Sequence, residues 1–116
     1  MVYGIIKDAE LILKTSGSQE VGSENGAGLK IGPTGSVKAV IIVSDVGSGG
    51  TLDVQLEESD DDGDGDPYAA LVILPQIVEA GVKTQNFRSE KTYVRRASTV
   101  GTDAVTWEMF ITTAEK

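Results

Sequence analysis

The chain reads as an all-β protein, an antiparallel β-sandwich or jelly-roll-like arrangement of seven to eight short strands. Apolar runs are short and separated by glycine-rich turns at roughly 8–12 residue spacing. Several runs alternate apolar and polar residues with a period of two, the mark of a half-buried strand. No window keeps a 3.6-residue period over 10 residues, and no repeat of 20–50 residues is visible.

Ala9–Thr15 (AELILKT) is read as the first strand, and Ser16–Gly28, polar and rich in glycine, as a loop. Gly26–Ile31 opens a second strand before the turn Gly32-Pro33-Thr34-Gly35. Val37–Ser44 (VKAVIIVS) is the most apolar run. Both of its faces are partly apolar, which places it centrally in a sheet. Gly47–Gly50 breaks it. In the next strand Leu52, Val54 and Leu56 alternate with Asp53, Gln55 and Glu57, and an acidic turn leads to a return strand at Tyr68–Leu74. Gln76–Gly81 is a helical turn or an irregular corner. Val82–Phe87, Lys91–Ser98 and Val105–Thr112 complete the strands, the last with Val105, Trp107, Met109 and Ile111 on one face. Trp107 is read as core.

The 116 residues are read as a single domain, with residues 1–8 as an N-terminal contact arm. No apolar run approaches the roughly 18 residues of a membrane span, and the first residues lack the layout of a signal peptide. Histidine and cysteine are both absent, which excludes Ser-His-Asp triads, Cys-His pairs and His- or Cys-based zinc sites. The net charge of −8 is concentrated: residues 56–66 alone hold seven acids and no base. A body near neutrality argues against a nucleic-acid partner, which needs a basic face. No lysine-bearing or GxGxxG phosphate loop occurs.

That acidic turn carries the chemical question. Asp60, Asp62, Asp64 and Gly65 satisfy the first half of a calcium loop, in which alternate carboxylates fold round a hard cation. The twelfth position from Asp60 is Leu71, which has no oxygen to offer, so a full EF-hand is excluded. A weak calcium site using Asp60, Asp62, Asp64 and Asp66 stands beside a plain solvated hairpin tip, and no other cofactor is expected. Arg88, Lys91, Arg95 and Arg96 form the one basic cluster, suited to an acidic partner surface such as the 57–66 turn of a neighbouring subunit. Arg95 and Arg96 fall on opposite faces of a strand, so at most one points inward.

The ordered pieces TLDVQLEESDD, QIVEAG and KTYVRRASTVGTDAVTWEMFI, across residues 37–112, resemble small β-sandwich structural proteins of tailed bacteriophages. The chain departs from that pattern in its extended DDDGDGDP turn and in GTDA, where a second glycine is usual. The resemblance implies a non-enzymatic virion protein, a decoration or stabilising protein on the outer capsid surface, made in the host cytoplasm. Its implied partners are the major capsid protein and further copies of itself in a trimer or other symmetric homo-oligomer. Val2, Tyr3, Ile5, Ile6, Arg88, Arg95 and Arg96 are the candidate contacts, together with the 16–28 loop. The alternatives are a tail, baseplate or head-fibre component, or a calcium- or carbohydrate-dependent binding module, which a cluster of exposed aromatics would favour. A glycosidase needs two facing acids in a cleft, whereas the acids here crowd one turn.

Overall fold

A computed structural model of the protein describes residues 11–34 and 36–113. Among them are nine strands and no α-helix: β1 (Ile12–Gln19), β2 (Gly22–Asn25), β3 (Leu29–Lys30), β4 (Val37–Asp45), β5 (Thr51–Ser59), β6 (Ala69–Ile73), β7 (Gly81–Phe87), β8 (Tyr93–Gly101) and β9 (Val105–Thr113). They form two antiparallel sheets, one ordered β1-β9-β4-β7 and the other β2-β8-β5-β6, with β3 also on β8. The architecture is the predicted sandwich.

Each sheet turns one face inward because its strands alternate. Ala39, Ile41 and Val43 of β4 and Val105, Trp107, Met109 and Ile111 of β9 face Leu52, Val54 and Leu56 of β5 and Val94 and Val100 of β8. These side chains meet in one buried cluster, the usual core between two stacked sheets. The central place predicted for β4 holds, since it pairs with β9 and β7. Its other face also buries apolar surface: Val40 and its cross-strand partner Phe110 are both buried.

Several element boundaries differ from the sequence reading. The first strand runs later, to Gln19, and the expected 16–28 loop is largely strand. Two register shifts in the β1–β9 pairing, on either side of Lys14, let this polar stretch stay paired without an alternating apolar pattern. Beyond it, β2 and β3 dock in turn on the same edge of β8, Gly22–Asn25 against Val100–Ala97 and Leu29–Lys30 against Val94–Tyr93. Gly26, Ala27 and Gly28 break this edge opposite Arg96 and Arg95, anchored by the Gly26 amide on the Arg96 carbonyl at 2.9 Å. The strand predicted over Gly26–Ile31 is therefore only two residues long. The return strand begins at Ala69 rather than Tyr68. The corner at Gln76–Gly81 is not helical: Ile77 exchanges two backbone hydrogen bonds with Leu52, each 2.9 Å. Gly32 cannot be replaced without movement, because a Cβ there would run into the Lys91 carbonyl. The proposed contact arm, with Val2, Tyr3, Ile5 and Ile6, lies outside the described residues.

Candidate functional site

The outer face of the second sheet carries a groove of about 300 Å³. Its construction follows from register. Asn25, Ala97, Gln55 and Ile73 lie in one row across β2, β8, β5 and β6; Ser23, Thr99 and Asp53 lie in the next. The inward neighbours on β5 are core residues, so Asp53 and Gln55 must point out. Ser23 and Thr99 join hydroxyls at 2.9 Å, and Gln76 donates to the Asp53 carboxylate at 3.0 Å. Five outward-facing side chains able to donate or accept hydrogen bonds thus line a shallow trough, with the buried Ser98 beneath them, and Ile73, 72% exposed, supplies an apolar wall. Asp53 is the one carboxylate in the lining.

Farther along the same face Arg95 closes the row. Its Nε donates to Glu57 at 2.8 Å, and its guanidinium stacks 4.1 Å from the Tyr68 ring centre. The Tyr68 hydroxyl donates to Asp62 at 2.7 Å. Burial first, and this bond second, raise the hydroxyl's pKa. Among the described residues the aromatics form no exposed platform: Phe87, Trp107 and Phe110 are buried, Tyr93 is half-buried, and Arg95 covers Tyr68.

The acidic turn is a hydrogen-bonded tip. Asp62, at φ 61°, and Gly63, at φ 84°, make the left-handed bend. The buried Ser59 hydroxyl donates to the Asp66 carbonyl at 2.6 Å and accepts the Gly63 amide at 2.8 Å. Asp61, absent from the alternate-carboxylate pattern, accepts the Gly65 amide at 2.7 Å and the Asp66 amide at 2.9 Å. These amides hold its carboxyl below the usual range. Of the four predicted metal ligands, Asp62 turns to Tyr68, and Asp66 takes the Lys91 ammonium at 2.7 Å with Asp60 beside it at 3.9 Å. Asp60, Asp62, Asp64 and Asp66 are not gathered round a common point; among the described residues no three acids are grouped to hold a metal ion.

The basic cluster is likewise dispersed. Arg88 lies exposed beside Glu90, Lys91 binds the acidic tip, Arg95 lies on the outer face, and Arg96 is buried between the sheets. Two of these bases pair with the 57–66 turn of the same chain: Lys91 with Asp66 and Arg95 with Glu57. These three arginines therefore do not make one docking surface.

At the β1–β2 side the core turns polar. Arg96 stacks 5.5 Å from the Trp107 ring centre and Lys14 lies 5.3 Å from it. Lys14 spends its three protons on the carbonyls of Thr15, Gly17 and Trp107 at 2.9–3.1 Å. Gln19 accepts from the Trp107 Nε1 at 3.2 Å and from Ser98 at 2.8 Å. Burial, and next the Arg96 charge, push the Lys14 ammonium pKa down. Sequence reasoning held Ser23, Glu24 and Asn25 only as part of the 16–28 loop taken for a contact region, and it missed Lys14 and Thr99, because polar residues on strand positions look ordinary. The alternation in β5 was the available signal, since it sets Asp53 and Gln55 on one outward face.

No protein-family model matches the chain, and no curated protein does. Among solved structures the chain is similar to the CBM22-1 and GH10 modules of Clostridium thermocellum endo-1,4-β-D-xylanase 10B complexed with xylohexaose. The identity is 14%, the TM-score 0.52, and the match covers 100% of this chain and 29% of that one. It is also similar to truncated AlyQ with CBM32 and alginate lyase domains, at 14% identity and TM-score 0.52, covering 99% of this chain and 34% of that one. A structure of infectious bursal disease virus, Gt strain, matches at 12% identity and TM-score 0.51, covering 87% of this chain and 29% of the other. The chain spans about a third of the length of these proteins or less. At such identity the likeness is one of fold, a β-sandwich domain.

Proposed function

We propose that the chain is a non-catalytic glycan-binding module whose ligand lies in the groove on the outer face of the second sheet. The observation that carries this reading is the lining itself: Ser23, Asn25, Asp53, Gln55 and Thr99 present donors and acceptors along a trough of about 300 Å³ beside exposed Ile73. A sugar ring offers hydroxyls round its rim and an apolar C–H face, and this trough matches both. Asp53 stands as the one acid of the lining, so the pair of carboxylates that glycosidic cleavage uses is missing from it, and binding without bond cleavage fits best. With Ile73 in place of an aromatic platform, affinity for a short oligosaccharide is on the order of millimolar, about −4 kcal/mol. The test is retention on immobilised polysaccharides followed by calorimetry. Asn25→Ala and Gln55→Ala should each weaken binding several-fold while leaving the melting temperature unchanged. Failure to bind any of a broad panel of glycans, or variants that bind as well as the parent, would overturn the reading.

A second reading is attachment to a virion, favoured by the order and spacing of TLDVQLEESDD, QIVEAG and KTYVRR. The surface for it is the side bounded by the edge strands β6 and β7, where Val78 and Val82 are exposed along with Ile73. Here the partners are the major capsid protein and further copies of the chain. Co-sedimentation with empty capsids, and a rise in their melting temperature, tests it; capsids that leave the protein in the supernatant reject it.

A further inference from the structure

Between the edge of β1 and the broken edge β2–β3 lies a cleft of about 530 Å³ lined by Ile12, Leu13, Lys14, Glu24, Gly26 and Arg96, within the usual size range of ligand sites. Two cationic side chains stand in its wall, Lys14 at 9% and Arg96 at 6% exposure. Buried like charges this close together need compensation. Glu24 pairs with Arg96, its Oε1 accepting from Arg96 Nη2 at 2.7 Å, and the charges of Glu24 and Glu108 both act on Lys14. The Glu24 carboxylate is 52% exposed and meets the guanidinium at one point. Arg96 Nη1 is taken by Ser98 at 2.6 Å and the Glu24 carbonyl at 3.4 Å. Arg96 Nε is buried without a hydrogen-bond partner. The guanidinium edge formed by Nε and Nη2 is built to hold both oxygens of one carboxylate, and Glu24 leaves half of it unused. The break in the edge strand falls beside this group: a Cβ on Gly26 would lie 3.1 Å from Arg96 Nε.

We infer that this cleft is a carboxylate-binding site in which Glu24 is a place-holder. An incoming carboxylate, borne by a small acid or an acidic saccharide, displaces the half-exposed Glu24 side chain to solvent and takes Nη2 and Nε together. Lys14 contributes charge and no hydrogen bond, since its protons are already on three carbonyls. The site is separate from the outer-face groove and does not depend on what that groove binds.

Trp107, the one tryptophan of the sequence, lies against both cations and reports on them. Its fluorescence in the full chain is titrated at constant ionic strength with acetate, with a galacturonate oligomer, with the corresponding neutral galactose oligomer and with chloride. A saturable change with acetate assigns small acids, and one with galacturonate alone assigns acidic saccharides; both support the site. Glu24→Ala, which removes the place-holder, tightens binding several-fold. Gly26→Ala, which crowds Nε, weakens it by at least as much. If Gly26→Ala fails to fold, Glu24→Ala carries the comparison, because its side chain is half in solvent. No saturable change with either carboxylate, an equal change with chloride, or unaltered or weaker affinity in Glu24→Ala overturns the inference.

Discussion

Single residues decide how this sandwich handles its charge. Ser59 is fully buried, and its hydroxyl ties the two ends of the acidic tip together. Ser59→Ala strands the Gly63 amide and the Asp66 carbonyl, at a cost of about 1–3 kcal/mol, measurable by urea unfolding. Asp61 and Asp66 act through the pH dependence. Both have carboxyls held below the ordinary 3.8, Asp61 first by the Asp66 amide and Asp66 first by Lys91. A depressed folded-state pKa means the unfolded chain takes up protons first. Their stabilisation is therefore complete above the unfolded value and is lost as pH falls below about 3.8 through the folded values. Melting temperature should fall in that window, and Asp61→Asn should lessen the fall. Lys91 has its pKa raised by the same bond to Asp66, so that bond also weakens as pH climbs through the raised lysine value, above 10.5. The two shifts describe one contact.

At the scale of the element, β5 and β8 form most of the outer-face groove. β5 sets core residues on one face and Asp53, Gln55 and Glu57 on the other, and β8 answers with Ala97, Thr99 and Arg95. Leu52 is fully buried, pairs with Val100 and exchanges hydrogen bonds with Ile77. Leu52→Ala should destabilise the domain by about 2–5 kcal/mol, the range for a large side chain lost from a packed core, read as a lower denaturation midpoint at unchanged slope. The alternation that builds β5 is visible in the residues themselves. The split edge made by β2 and β3 is not, because SGSQEVGSENGAG has the composition of a loop. It is strand because the edge of β8 offers backbone groups that would otherwise lie unpaired.

Across the whole molecule, β1 pairs with β9 and so joins the two ends of the described chain. Pairing at that sequence distance must wait for a large loop closure, so refolding belongs in the slow class of all-β domains, about milliseconds to seconds. Stopped-flow dilution from urea, followed through Trp107, checks this; folding in microseconds would contradict it. Because one core serves both sheets, unfolding should be a single transition by fluorescence and circular dichroism alike.

Fold class was written into the local pattern. Period-two alternation, glycine punctuation and the lack of a helical period force short strands, and strands with one apolar face must bury it against another sheet. The inward set of β9, the central place of β4 and the concentration of charge at one turn follow from the same reading. The candidate sites were hidden for a physical reason. A trough made of Ser23, Asn25, Asp53, Gln55 and Thr99 exists only because antiparallel register brings β2, β5 and β8 side by side. Residues 95 and 96 are adjacent arginines in sequence, yet the pleat sends one to the outer face over Tyr68 and the other inward against Trp107. Spacing along the chain left two readings for Asp60, Asp62, Asp64 and Asp66, a weak calcium site or a solvated hairpin tip. In the folded tip Asp62 meets Tyr68 and Asp66 meets Lys91, because each carboxylate pairs with what tertiary packing places beside it, and that placement is absent from any local run of residues.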